Sequence, residues 1–458
     1  MPDTLIIGGG ISGLSCAMTL HAAGADMLVL EAAEEPGGKI RTETHDGFRL
    51  ECGPNTVQDD VPETHDLVAA AGLTDEWIAS RPENHDRFIW KNGRRHRLPS
   101  PPFSILKALT TPMMSPLGKL RFACEPFVAR GDNSAESLRS FGDRRLGPDA
   151  TRSLLEPFAS GIHGADPDRL EIESAFPKLA EAERRFGNLL PGMFKLARER
   201  RGGGPRRSPL MRSFADGLQT LPATIAACLA GEYRGGCRVQ SVARDGESFV
   251  VHYTGPQGNV ETSCRNLVLA TPPRIAGDLL MVLDDAADLA GELRAIASTD
   301  VVVVHVGAAE KDLTAPLDGF GHLAVRDHGV RTLGTIYASS LYPGRCCSPG
   351  QVLLTSFTGG ALDPAVIDMD DDAILQFVLA DLSRTVGFRG EPVMTRINRW
   401  PEAFPQYHIG HAARQRRITE NLVGIPGLHI IGNYLNGVSI NDCIRSGMAV
   451  GRRLISEA

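Results

Sequence analysis

The sequence is short of several features that would place it quickly. Among its nine cysteines no two are spaced as C-x-x-C, and Cys346 and Cys347 are adjacent, which suits neither a zinc site nor a simple disulfide framework. Reduced thiols are the expectation, as in a cytoplasmic protein. Its thirteen histidines are scattered, with no H-x-H or H-x-x-x-H pair beside a cysteine, so no metal site is expected. There is no surplus of positive charge: 48 basic residues stand against 55 acidic ones, a net charge of -7, which argues against a nucleic-acid binder. No basic segment and small-residue cleavage site precede the first apolar stretch, so no signal peptide is expected. Nor is there a good membrane span. The uncharged run from Asn421 to Asn441 is broken by Pro426 and four glycines.

What is present is ordinary globular material, 42% hydrophobic and 22% charged over 458 residues, enough for two or three domains. The chain opens on an apolar strand, Thr4-Leu5-Ile6-Ile7, that runs into Gly8, Gly9 and Gly10. Ile11, Ser12, Gly13 and Leu14 then start a helix with Ala17 and Leu20 on its apolar side. This is G-x-G-x-x-G between a strand and a helix. The glycines allow a tight turn and close approach to a pyrophosphate, at which the helix points its free N–H groups. A second strand, Met27 to Leu30, ends at Glu31, whose carboxylate is placed for a ribose diol. Then comes Glu34-Glu35-Pro36-Gly37-Gly38-Lys39-Ile40-Arg41, which resembles the second glycine pair of flavin enzymes of the amine-oxidase and desaturase type. Glu51-Cys52-Gly53-Pro54-Asn55-Thr56 continues that resemblance, in the segment that passes beside the flavin ring.

The cofactor fold is interrupted and resumed. Thr220–Leu229 reads as a helix that tolerates Pro222 in its first turn. Strands are expected at Phe249–Tyr253, at Asn266–Ala270 before Thr271-Pro272-Pro273, and at Leu428–Asn433. Residues 98–164 are proline-spaced and helical in pattern, with Phe103, Ile105, Leu106, Leu109, Leu117, Leu120, Phe122 and Phe127 as apolar positions. Residues 276–394 carry strand signals at Val301–Val304 and Val352–Thr355, then a helix with Ile374, Leu375, Phe377, Val378 and Leu379. The expected architecture is α/β. A Rossmann-like, two-dinucleotide FAD-binding domain takes residues 1–85, 209–275 and 395–458. A mixed-sheet substrate domain takes 86–97, 165–208 and 276–394, and a mainly helical, membrane-associating insertion takes 98–164. From Arg184 to Arg212 nine basic residues face one acidic residue, Glu199. That run reads as a solvated loop or as guidance for an anionic substrate or membrane surface.

Five segments are more specific: Phe158–Pro167, Gly319–Leu323, Thr332–Tyr337, Arg399–His411 and Gly432–Ile444. With them the chain resembles the protoporphyrinogen oxidase family over nearly its whole length, with His163 standing where the family usually has an aromatic residue. The resemblance implies non-covalent FAD lined by Gly8, Gly9, Gly10, Ile11, Ser12, Gly13, Leu14, Glu31, Gly37, Gly38, Lys39, Gly53, Pro54, Asn55 and Thr56. Val239 meets the adenine through its backbone, Trp400 lies near the flavin, and Val438, Ser439 and Ile440 approach the isoalloxazine and ribityl end. Arg87 pairs with a substrate propionate, Leu323 and Ile336 clamp one pyrrole, Phe357 stacks on the next, and Gly161 lies in the segment by the substrate cavity. Cys443 is expected to pack rather than bond to the cofactor.

The implied reaction removes hydride from a bridge carbon of a porphyrinogen, in three rounds, with dioxygen reoxidising the flavin to give hydrogen peroxide. The cofactor carries the hard step, so few catalytic side chains are needed; Asn55 is the candidate for polarising a substrate N–H. Protoporphyrinogen IX is the expected substrate. Coproporphyrinogen III is the alternative, whose four propionates call for further cationic partners. Tetrapyrrole, dioxygen and a peripheral membrane surface are the expected partners, with a homodimer left open. Amine oxidases and desaturases share the glycine motifs but not the Arg399–His411 and Gly432–Ile444 segments; GDP-dissociation inhibitors use the fold as a binding module without FAD, and the intact phosphate loop and C-terminal flavin segment weigh against that alternative.

Overall fold

The computed structural model describes residues 2–84, 86–98, 110–131, 135–199, 210–326, 328–346 and 348–457. Two sheets frame the site. The first is parallel, in the order Tyr233–Arg234, Met27–Leu30, Thr4–Ile7, Asn266–Leu269, Leu428–Ile430. Thr4–Ile7 and Met27–Leu30 are buried along their whole length. A strand covered on both faces can be apolar throughout, which is why these segments read as unbroken hydrophobic runs. One face lies under the helices Ile11–Ala22 and Ile440–Glu457. These helices cross closely because Gly447 and Gly451 carry no side chain: a Cβ on Gly447 would stand 2.2 Å from Ser12 O. The other face lies under the antiparallel strands Arg238–Asp245, Ser248–Gly255 and Gly258–Cys264 and the helices Pro273–Leu280, Ala287–Arg294 and His411–Val423.

The second sheet is mixed and runs Met394–Pro405, Ser298–Ala309, Gln351–Gly359, Gly334–Ile336, Gly321–Ala324, Arg87–Lys91, Arg94–Arg97. Side chains alternate between its faces with period two. Val302, Val304, Val306 and Leu354 pack beneath the helix Asp371–Thr385. Val301 and Val303 turn to the opposite face, with Phe357, Trp400 and Phe404.

The helical region includes Pro116–Ala123, Leu138–Arg145, Glu156–His163, Pro177–Phe186 and Leu190–Glu199, which share one core. A buried ion pair between Arg145 and Glu125 lies inside it. The same Glu125 carboxylate accepts the N–H groups of Leu189 (2.6 Å) and Leu190 (3.0 Å), so it also caps the start of the last helix.

Three segments pack across the expected domain limits. Pro273–Leu280 and Ala287–Arg294 fall in the expected substrate segment 276–394 or straddle its start, yet their leucines fill the core of the parallel sheet. Met394–Pro405, expected with the cofactor fold, is paired along Ser298–Gly307 in the mixed sheet. Helices between 172 and 199 join the 110–164 helices rather than the sheet. In each case the partner that buries the element's apolar side lies far away in sequence. Phe103, Ile105, Leu106 and Leu109 of the expected insertion, and the glycines at 202–204, lie outside the described residues. No helix of the described residues is long and apolar enough to cross a membrane.

Candidate functional site

The carboxyl ends of the parallel strands carry two glycine loops that lean on each other. Gly37 N–H donates to Gly9 O at 2.8 Å. Gly8 has φ +115°, and a Cβ on Gly13 would meet Gly8 O at 2.0 Å, so neither position admits a side chain. A Cβ on Gly10, by contrast, would meet nothing within 4 Å. Helix Ile11–Ala22 begins there with no side-chain cap and no acid in its first turn, leaving its positive end for an anionic ligand. Glu31 stands beside this cradle. Its Oε2 accepts Gly9 N–H at 2.5 Å and its Oε1 accepts Ala33 N–H at 2.8 Å, fixing both oxygens at the strand end. Val239 follows one turn of backbone later, after Cys237 N–H donates to Glu31 O at 2.7 Å. An open glycine cradle, a free helix terminus and a held carboxylate fit a dinucleotide.

Further along, Lys39 O comes within 2.0 Å of where Gly53 would carry a Cβ, so the two loops are in direct backbone contact. Asn55 is buried, and its side-chain amide donates to Gly53 O at 3.1 Å, shaping the turn around Pro54. Thr56 Oγ1 reaches Met211 Sδ at 3.4 Å. Trp400 Nε1 donates to Cys52 O at 2.6 Å, tying the mixed sheet to this loop. Val438 packs against the helical core. Ser439 caps the final helix at Ile440: its Oγ accepts Asp442 N–H at 3.1 Å and donates to Asp442 Oδ2 at 2.6 Å. Cys443 is buried beside Ser12, and burial pushes its thiol up to about 11, so it stays protonated and unreactive near neutrality.

The face of the mixed sheet opposite helix Asp371–Thr385 gathers the other expected residues. Arg87 pairs in register with Gly321, and Gly321 with Ile336; Leu323 pairs with Gly334, and Gly334 with Phe357. Directly opposed residues, and residues two apart on a strand, share a face. Arg87, Leu323, Ile336 and Phe357 therefore stand together, although 270 positions of sequence separate the first from the last. Leu323, Ile336 and Phe357 are only half-buried despite lying on interior strands of the sheet, and Trp400 on its edge strand is half-buried too. Gly161, on helix Glu156–His163, is pressed against this bed: a Cβ there would stand 2.3 Å from Leu323 Cδ2. Arg87 has its guanidinium over the Phe320 ring at 5.3 Å and no carboxylate partner among the described residues. It is open to solvent yet surrounded by protein, and desolvation lowers its pKa from the usual value. It stays charged.

Three other expectations are resolved by position. His163 takes the place of an aromatic: it is buried, edge-on to Phe176 at 5.3 Å, with burial drawing its pKa down to about 4. The Arg399–His411 segment ends in a stack of Tyr407 on His411 at 4.3 Å, with Glu171 accepting the N–H groups of Gly410 and Ala412, both at 2.8 Å. Three arginines of the basic run are held in ion pairs. Arg184 bonds Glu173, Arg185 bonds Glu181 and Glu199, and Arg212 bonds Asp59. Its remaining residues, 200–209, lie outside the described residues. Two groups at the cradle escaped sequence reasoning. The Tyr233 ring lies 3.0 Å from the Cβ position of Gly9, and its hydroxyl, like that of Thr271 after the strand Asn266–Leu269, is buried without a hydrogen-bond partner. Thr271 opens the Thr271-Pro272-Pro273 turn read from the sequence; no motif marks Tyr233, and only the strand order brings it beside Met27–Leu30.

Fold and cradle together define a flavin-dependent oxidoreductase built on a dinucleotide-binding sheet. Residues 11–455 match the family described as flavin containing amine oxidoreductase. The chain is 31% identical to the chloroplastic protoporphyrinogen oxidase of Nicotiana tabacum, over 98% of this chain and 84% of that one. It is 28% identical to the coproporphyrinogen III oxidase of Bacillus subtilis (strain 168), over 97% and 96% of the two chains. A crystal structure assigned as a protoporphyrinogen oxidase from Exiguobacterium sp. 255-15 superposes with a TM-score of 0.84 at 24% identity, over 99% of each chain. The chain belongs to the flavin containing amine oxidoreductase family and, within it, to the protoporphyrinogen oxidase family.

Proposed function

We propose that this chain oxidises protoporphyrinogen IX to protoporphyrin IX with dioxygen as the final acceptor, using non-covalently bound FAD. The observation that carries the reading is the sheet face on which one unpaired arginine, Arg87, borders an apolar bed of Leu323, Ile336 and Phe357. A tetrapyrrole with two propionates and otherwise apolar substituents matches such a bed. Each further propionate pressed against it would lose hydration without a partner, at a cost of several kcal/mol. Gly8 to Leu14, Glu31, Gly37 to Lys39 and Gly53 to Thr56 hold the cofactor, with Val239 at the adenine and Trp400 and Val438 to Ile440 at the ring end. When bound, FAD would supply the hydride acceptor, with dioxygen as the final oxidant and hydrogen peroxide as its product. The side chains orient the substrate and exclude water. Arg87 anchors one propionate by a charge-assisted bond, and the apolar bed sets which bridge carbon faces the cofactor. Asn55 is a candidate contact for a pyrrole N–H from the flavin loop.

Peripheral attachment to a membrane is part of the same proposal. On the helical region Leu117 is 79% exposed, Leu120 64% and Phe127 89%, beside Lys119 and Arg121, an arrangement suited to reversible surface contact. Co-flotation with liposomes at low salt is expected, and complete failure to float removes this part. The function itself is tested anaerobically by mixing the yellow protein with each porphyrinogen in turn. Protoporphyrinogen IX is expected to bleach the flavin faster than coproporphyrinogen III, by about a hundred-fold in specificity ratio. A faster reaction with coproporphyrinogen moves the chain to the second substrate, and no bleaching by either ends the reading. Acid precipitation is expected to release the FAD into the supernatant; flavin kept in the pellet means a covalent bond.

A further inference from the structure

Lys39 follows the second glycine loop, but its ammonium is not turned back onto the glycine cradle. Nζ donates to the backbone carbonyls of Glu402 at 2.8 Å and Ala403 at 2.6 Å, on the edge strand of the mixed sheet. That stretch of backbone is held in an unusual shape. Glu402 has φ +51°, the left-handed region that a residue with a side chain rarely occupies, where the pairing with the neighbouring strand shifts register between Thr299 and Val301. Asp300 Oδ1 accepts Glu402 N–H at 2.8 Å, and the Glu402 carboxylate accepts from Arg274 Nε at 2.8 Å. Local strain of this kind persists where surrounding contacts over-determine it.

Four pieces meet around Lys39: the glycine loop that carries it, the Gly53 loop packed on its backbone carbonyl, the 402–403 carbonyls that take its ammonium, and Cys443 in the first turn of the final helix, which itself lies against Ser12. An ammonium has three donors. Two are used by carbonyls, and the third has no partner among the described residues. The charged and titratable groups facing it are the Glu402 carboxylate and the Cys443 thiol. Desolvation prevails over both and draws the Lys39 pKa down to about 8.

We propose that Lys39 is a positioning residue that supplies the charge partner for the reduced flavin. The inference rests on flavin binding at this site and not on the identity of the porphyrinogen. Hydride transfer breaks a substrate C–H bond, forms N5–H, and brings two electrons and one proton to the ring, leaving a net negative charge on the ring system. An ammonium already fixed on two carbonyls, with one donor spare, offsets that charge without reorganising. It therefore stabilises the reduced cofactor over the oxidised one.

The test uses the purified flavoprotein and reductive titration against a reference dye, with no porphyrinogen present. For Lys39→Met, the ratio of reduced to oxidised flavin affinity, read from the midpoint potential, is expected to fall about ten-fold. Lys39→Arg is expected to keep most of it. Lys39→Gln, which keeps polar donors without the charge, is a second variant, and its ratio is expected to fall by the same factor. If either uncharged variant weakens binding of oxidised FAD but leaves the potential unchanged, the ammonium serves the phosphates alone and the proposal is overturned. If neither uncharged variant retains flavin, the ammonium is needed to hold the oxidised cofactor and the proposal is overturned equally. A protein that holds no flavin at all fails the cofactor reading instead.

Discussion

The two halves of the site are built from different materials. The proposed cofactor cradle is mostly backbone: Gly8, Gly13 and Gly37 matter for what they lack, and helix Ile11–Ala22 starts with no side-chain cap. The substrate bed is mostly side chain. Arg87, Leu323, Ile336 and Phe357 come from four strands, and each is individually an ordinary residue. A backbone site tolerates little substitution wherever a Cβ would meet the chain, as at Gly8, Gly13 and Gly37. A side-chain bed tolerates change and answers with altered affinity. Damage to the first should therefore remove the cofactor, and damage to the second should alter only substrate handling.

The largest effect expected of that contrast is at Gly13. A Cβ 2.0 Å from Gly8 O cannot be accommodated without moving the loop, so Gly13→Ala is expected to be isolated colourless and with a lowered Tm, an overpacking cost of about 1–3 kcal/mol. Flavin retained at wild-type occupancy breaks the distinction. Next is Arg87→Ala. A charge-assisted bond contributes about 1.5–3 kcal/mol, so KM is expected to rise roughly ten-fold or more while the flavin spectrum and flavin Kd stay put. An unchanged KM puts Arg87 outside the site. Gly161→Ala sharpens the comparison, since it uses a glycine in the substrate half. Its Cβ would strike a leucine tip rather than backbone, so the protein should stay yellow, with KM raised several-fold. Loss of flavin there would show that the halves are not separable.

The smallest effect concerns pH. Burial lowers the pKa of His163 and His411 to about 4 and of His305 and His322 to about 3. Each is neutral in the fold and titrates near 6.5 when unfolded. The unfolded chain thus binds more protons between those values, so stability is complete above pH 6.5 and falls as the pH drops toward 4. Tm measured from pH 7 to pH 4.5 is expected to decline, and His163→Phe, which removes one titrating ring from a pocket shared with Phe176 and Tyr407, should decline less steeply. Equal slopes would mean that His163 is charged or hydrated in the fold.

The cradle was legible because its parts are close in sequence. Strand, glycine loop, helix and Glu31 fall within the first 31 residues, and a two-sided buried strand announces itself as an apolar run. The bed was not legible from type or spacing. Leu323 and Phe357 look like core leucine and phenylalanine, and only resemblance to a family singled them out. The packing of the helices was not legible either: nothing local in Leu279, Leu289 or Leu293 says that they share a core with Leu5 and Leu267.

By itself, then, the sequence determined the elements and the cofactor turn, because helix and strand periods, the missing Cβ of glycine and the free N–H groups of a helix start are local physics. It also carried the buried runs that require a sheet covered on both sides. The tertiary structure decided which elements share a core, which face of the mixed sheet stays open, and that Arg87 meets no carboxylate there. It decided too that Lys39 spans from the cofactor loop to the strained backbone at Glu402. Those outcomes depend on register between strands hundreds of residues apart, and a shift of one residue in any pairing would turn Leu323, Ile336 or Phe357 to the opposite face.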